Sequence, residues 1–182
     1  MSRVGKEPVQ IPAGVKVNID GNKVTVDGPK GSLNQSFSPD IKITDEGGSL
    51  KVERPSNERT HRALHGLTRS LLANMVTGVT DGYVKYLDLV GVGYRAQQSG
   101  KGLTLNVMLS HSVDIEPRDG ISLEVEGNNR ITVRGIDKQQ VGQTTAEIRA
   151  VRPPNAYTGK GIRYADEQVR LKPGKSARRV EQ

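Results

Sequence analysis

Twelve residues near the carboxyl end concentrate the side chains with chemical potential: Pro153-Pro154-Asn155-Ala156-Tyr157-Thr158-Gly159-Lys160-Gly161-Ile162-Arg163-Tyr164. Proline lacks an amide donor and restricts the residue before it, so the double proline ends any preceding helix and the chain beyond reads as an irregular loop. Gly159 and Gly161 bracket Lys160 and free the backbone for positive φ or close approach. Tyr157 and Tyr164 are stackable rings, and Arg163 is a planar cation. Phosphate contact, stacking and backbone proximity are the means by which proteins grip folded nucleic acid. The alternative is a basic surface loop with no specific partner.

Other chemistries lack their minimal residue sets. Ser99-Gly100-Lys101-Gly102 and Thr158-Gly159-Lys160-Gly161 each contain part of a phosphate-binding loop. The glycine needed five positions ahead of Gly-Lys is Arg95 in one and Pro154 in the other, and neither lysine is followed by Ser or Thr. Gly91-Val92-Gly93 lacks the third glycine of a dinucleotide fingerprint. His61 and His65 stand one helical turn apart with no third ligand nearby in sequence, and His111 is remote, a weak basis for zinc. No Ser has a nucleophile motif and Cys is absent, so no enzyme activity, metal or cofactor is expected.

Charge supports the nucleic-acid reading. The chain of 182 residues carries a net charge of +7. From Arg149 onward there are nine Lys or Arg against three Asp or Glu, whereas the preceding residues carry eighteen against seventeen. The excess is therefore a local footprint rather than a uniform basic coat. Lys172, Lys175, Arg178 and Arg179 extend it into a basic tail ordered on a partner. The amino end has no apolar core of a signal peptide and no apolar run is long enough to span a bilayer, so a cytoplasmic protein with no membrane partner is expected.

The elements that must hold this loop are short. Met1 to Gln10 reads as an extended polar arm. Val15, Val17 and Ile19 alternate with polar residues, and Gly21-Asn22 turns them into Val24-Thr25-Val26, a hairpin with one buried face. Leu33 to Phe37, Ile41 to Ile43 and Leu50 to Val52 are further strands. A helix follows Pro55, capped by Ser56 or Asn57, with Leu64, Leu67, Leu71 and Met75 as its apolar stripe and Gly78 as its stop. Arg59, Arg62, Gly66 and Arg69 share another face, read as solvated or as a second anionic contact. After Asp81-Gly82, Tyr83 to Ala96 forms a strand interrupted at Gly91 and Gly93, and Leu103 to Leu109 a strand apolar at odd positions. Asp137 caps a second helix with Val141, Ile148 and Val151 on its apolar side, ended by Pro153.

One pattern repeats. Gly14-Val-Lys-Val-Asn-Ile-Asp-Gly21-Asn-Lys-Val-Thr-Val and Gly120-Ile-Ser-Leu-Glu-Val-Glu-Gly127-Asn-Asn-Arg-Ile-Thr-Val match with one inserted residue. A spacing beyond a hundred residues is too long for a solenoid and fits duplication of a small unit. The expected fold is α+β: two tandem duplicated domains, each a small antiparallel sheet packed with one helix, plus a basic carboxy-terminal extension. The boundaries are 1–82, 83–152 and 153–182, the last being the RNA-binding loop and tail.

Met1-Ser-Arg-Val-Gly-Lys-Glu-Pro, Gly28-Pro-Lys-Gly31, Arg59-Thr-His-Arg-Ala-Leu-His-Gly66, Leu89-Val-Gly-Val-Gly-Tyr-Arg-Ala96 and above all Pro154 to Tyr164 together resemble the bacterial large-subunit ribosomal protein six family along essentially the whole chain. The family usually has Lys after the tyrosine, where this chain has Thr158. The resemblance implies a structural constituent of the large ribosomal subunit that binds ribosomal RNA. It further implies a position near the sarcin-ricin loop and stalk base, with neighbouring ribosomal proteins, translational GTPases docking nearby, and a role in subunit assembly. The expected contacts are Tyr157, Gly159, Lys160, Gly161, Arg163 and Tyr164, with Lys172, Lys175, Arg178 and Arg179 adding electrostatic reach. The competing class is an adaptor that binds a protein strand along an exposed sheet edge. Salt separates the two, because phosphate neutralisation makes affinity fall steeply with ionic strength.

Overall fold

The computed structural model describes residues 3–175 and falls into two compact units. Among the described residues, one holds those up to Tyr83 together with Ile136–Lys138; the other holds Val84–Gly135 and residues 139–175. Each unit carries two small sheets where the sequence suggested one.

In the first unit, α1 (Arg3–Lys6) and β1 (Val9–Gln10) replace the expected extended arm. The helical turn lies wholly before Pro8, which is why the prolines do not prevent it. β2 (Lys16–Asp20), β3 (Lys23–Gly28) and β4 (Gly31–Ser36) form one antiparallel sheet, with Val17 opposite Val26 and Ile19 opposite Val24. β5 (Lys42–Asp45), β6 (Ser49–Glu53) and β1 form the other. Alternate residues point to one face of a strand. Val24, Val26, Ile43, Leu50 and Val52 are thereby buried together, with Phe37 closing the core.

α2 (Arg59–Thr80) lays Leu72, Met75, Val76 and Val79 on that core. Its buried face differs from the leucine stripe expected: Leu67 is 54% exposed, while His65 and Thr68 are buried. A buried imidazole is tolerated because both nitrogens are bonded. His65 Nε2–H donates to the Val52 carbonyl at 2.9 Å and Nδ1 accepts from Arg54 Nη1 at 3.1 Å. The helix stop also shifts. Gly78 lies inside the helix, where a Cβ would stand 2.0 Å from the Ile136 carbonyl oxygen. The end comes at Gly82, whose φ of +72° lets its amide reach back to the Thr77 carbonyl. At the start, neither expected cap operates. Glu58 is the N-cap without a side-chain bond, and Ser56 Oγ accepts from the Glu58 amide and meets His61 Nδ1.

In the second unit, β7 (Tyr83–Val90), β11 (Ile121–Glu126), β12 (Arg130–Gly135) and β13 (Gly161–Tyr164) make a sheet in the order β11-β12-β7-β13. β8 (Arg95–Ser99), β9 (Gly102–Asn106) and β10 (Val113–Ile115) make another, and α3 (Lys138–Val151) buries Val141 and Ile148. The repeated sequence is a repeated hairpin. Asp20 faces Lys23 in β2–β3 and Glu126 faces Arg130 in β11–β12, so the inserted residue lies in the second turn. The interruption at Gly91 and Gly93 is a full turn between β7 and β8. Leu103, Leu105 and Val107 are buried as their odd positions require, but the series ends there, with Leu109 exposed.

Candidate nucleic-acid interface

β13 corrects the expectation that the chain after Pro154 is irregular throughout. Gly161 to Tyr164 pair with Val90 to Leu87, and Ile162 is fully buried. Four residues with a buried isoleucine can join a sheet even when turn-formers precede them, because the strand is an edge and its neighbour supplies the ladder. Two backbone bonds close the loop before it: Ile162 N–H to Arg152 O at 2.8 Å and Asn155 N–H to Lys160 O at 2.9 Å.

The loop between these bonds is self-ordered. Asn155 Oδ1 accepts the amides of Tyr157 at 2.8 Å and Thr158 at 3.2 Å, an Asx turn, and its carbonyl accepts the Gly159 amide. Gly159 has φ of +69°. At Gly161 the constraint is steric as well: φ is +147°, and a Cβ would meet the Pro153 oxygen and Pro154 Cα at 2.7 Å. The close backbone approach foreseen at this glycine is thus within the chain itself. Both glycines are buried and shape the loop from beneath. Tyr157 is 62% exposed, and Thr158 and Lys160 are exposed beside it.

The remaining sequence-predicted residues divide. Lys172 donates its amide to Ala156 O at 2.8 Å, and Leu171 packs 3.3 Å from where a Gly159 Cβ would stand, so the chain to Lys175 folds back over the loop. Tyr157, Lys172 and Lys175 line one cleft. Arg163 lines a different one with Asp88, Glu126, Asn129 and Arg130. Tyr164 is faced by Lys85 Nζ at 5.1 Å and by the Arg149 guanidinium at 5.7 Å, cation–π contacts that occupy the ring. Arg149 is held by Glu167 at 2.9 and 2.5 Å, and Glu167 also accepts the Tyr164 amide. That pairing holds the Glu167 carboxyl below its ordinary range and the guanidinium above its own. Arg178 and Arg179 lie outside the described residues.

Electrostatically, the paired cations are the structural ones. Arg118, Arg130, Arg134 and Arg149 each meet a carboxylate, whereas Lys160, Lys172 and Lys175 form no ion pair among the described residues. Unpaired cations around an exposed ring are what a phosphate and base would use. On the first unit, Arg69 is tied to Glu7 through its carbonyl at 3.2 Å and carboxylate at 3.4 Å, while Arg59 and Arg62 are exposed.

Sequence reasoning missed part of this surface. The Cβ position at Gly91 lies 3.4 Å from Lys160 Cβ, Arg152 Nε reaches Tyr94 Oη at 3.4 Å, and the Cβ position at Gly93 lies 3.2 Å from Met108 Sδ. Val92 and Met108 are 87% and 67% exposed, and Met108 holds φ of +58°, a strained conformation of the kind that collects at functional sites. Only the glycine pair at 91 and 93 signalled a special turn; separation along the chain hid its approach to Lys160. His61 and His65 are both engaged by protein groups, and among the described residues no group of three metal-ligating side chains gathers. No described helix is long and apolar enough to cross a membrane.

Comparison with known proteins shows what the chain resembles as a whole. The family described as Ribosomal protein L6 matches residues 11–82 and again 90–165, spanning both copies of the repeated hairpin. The chain is 61% identical to the large ribosomal subunit protein uL6 of Geobacillus stearothermophilus, over 98% of this chain and 100% of that one. It is 59% identical to the uL6 of Caldicellulosiruptor saccharolyticus, over 98% of each chain, and 56% identical to that of Carboxydothermus hydrogenoformans, over 97% of each.

Proposed function

The chain belongs to the ribosomal protein L6 family, and on that premise we propose that it is a structural, non-enzymatic protein of the large ribosomal subunit that grips ribosomal RNA through the loop from Pro153 to Lys160 and the basic segment behind it. The observation that carries the reading is the pair Lys172 and Lys175 lining one cleft with the exposed Tyr157, with the exposed Lys160 three residues further on, all without an ion pair among the described residues and on a loop already locked by Asn155. A locked loop loses little conformational entropy on binding. Direct contact is assigned to Tyr157, Lys160, Lys172 and Lys175, with Arg178 and Arg179 extending the charge. Gly159 and Gly161 shape the loop, and Arg163 and Tyr164 anchor it to β7.

The finer placement, near the sarcin-ricin loop and stalk base with translational GTPases and other ribosomal proteins as neighbours and with a part in subunit assembly, rests on the family resemblance of Pro154 to Tyr164. Sucrose-gradient sedimentation of cell extract tests the assembly. The chain should travel with large subunits at low salt and be released as salt rises. Recovery at the top of the gradient at every salt concentration would sink the reading.

A further inference from the structure

We infer that the cleft between Tyr157 and the segment Lys172 to Lys175 is a receptor for a single unpaired RNA base, stacked on the Tyr157 ring with its flanking phosphates on the two lysines; this rests on the RNA-binding reading above. The cleft measures about 400 Å³ and is lined by Tyr157, Lys172, Pro173, Gly174 and Lys175, one ring, one pyrrolidine and two ammonium groups with no carboxylate. The two comparable clefts of this unit are chemically different. That of about 510 Å³ presents Asp114 and Glu116 beside a single Lys101, and that of about 410 Å³ presents Asp88 and Glu126 beside two arginines. Their carboxylates equal or outnumber their cations, so the Tyr157 cleft is the one of the three whose lining is net positive and suited to a nucleotide.

The cleft is held open by the chain itself. The Lys172 amide bond to Ala156 O and the packing of Leu171 over Gly159 set the basic segment opposite the ring, and the Asx turn at Asn155 fixes the ring's backbone. Size then selects the ligand. Roughly 300–1,000 Å³ is the range of small-molecule sites, so this cleft has room for one nucleotide and not for the width of a helix within it. Bases inside an A-form duplex keep their faces stacked on one another, and only an unstacked one can lay a face on a tyrosine.

The test uses the full chain and protein-free large-subunit ribosomal RNA, with affinity measured across a salt series and folding checked by circular dichroism. Tyr157→Phe keeps the ring and should hold affinity within about twofold, whereas Tyr157→Leu should lose roughly ten- to a hundredfold, the range of one stacked base. Neither should change the salt slope. Lys172→Gln and Lys175→Gln should each reduce the magnitude of that slope by about 0.7, the value for one single-stranded phosphate. Ultraviolet crosslinking should join Tyr157 to one nucleotide that chemical probing finds unpaired. Wild-type affinity in Tyr157→Leu, or a crosslink to a paired nucleotide, would overturn the stacked base while leaving RNA binding in place. Failure of the unaltered chain to bind the RNA would instead overturn the reading beneath it.

Discussion

Glu167→Gln probes the latch that holds the end of β13. The substitution preserves size and an acceptor oxygen but removes the charge shared with Arg149 at 2.9 and 2.5 Å. Hydrogen bonds to charged groups contribute about 1.5–3 kcal/mol and fully exposed ion pairs about 0–1. The side chains are 30% exposed for Arg149 and 23% for Glu167. Partial screening therefore places the loss at about 1–2 kcal/mol. Each kcal/mol lowers the melting temperature of a domain this size by about 4–8 °C. The Arg149 bonds, with the Tyr164 amide, hold the Glu167 carboxyl below its ordinary range, against a smaller opposing effect of burial. A carboxyl with a depressed folded pKa stabilises above its unfolded value of about 4.3 and loses that contribution as pH falls through the folded one. The gap between wild type and variant should thus be full at neutral pH and narrow on acidification below the ordinary carboxylate range. Urea unfolding by circular dichroism at a series of pH values measures it. Equal midpoints at pH 7, or a gap that does not narrow in acid, would refute the latch.

Gly161→Val should destabilise the second unit by about 1–3 kcal/mol, from positive φ and the contact with the Pro153 carbonyl, and weaken RNA binding with the salt slope unchanged; calorimetry and filter binding would read the two effects. Lys160→Gln should leave the melting temperature alone, since Lys160 is exposed, and reduce the magnitude of the salt slope by about 0.7–0.9. Arg62→Ser with Arg69→Ser should leave RNA affinity unchanged and lower stability of the first unit by up to about 1 kcal/mol through the lost Glu7 bonds; an affinity loss of tenfold or more would place that helix face in the binding site. Leu72→Ala should cost about 2–5 kcal/mol in chemical denaturation, because the leucine is fully buried in the first core.

What could be read from residues alone was whatever depends on neighbours a few positions away. Alternation in Val15, Val17, Ile19, Val24 and Val26 is enough for a hairpin with one wet face, because side-chain direction along a strand has a period of two. The duplicated motif is legible because both copies carry apolar residues at the same alternate positions, and the basic loop because its composition is local. Tertiary structure decided the rest. Which stripe of α2 faces the core turned on whether His65 could be satisfied, and its partners, Val52 and Arg54, lie on and just beyond a strand eleven or more residues away. Whether residues after Pro154 form a loop or a strand turned on the availability of β7, more than seventy residues earlier. Whether a cation is free for a ligand turned on partners such as Glu167 and Asp88, which no spacing rule connects to Arg149 and Arg130. Local sequence sets backbone preference and periodicity; pairing, burial and charge neutralisation are properties of groups that meet only after the chain has closed on itself.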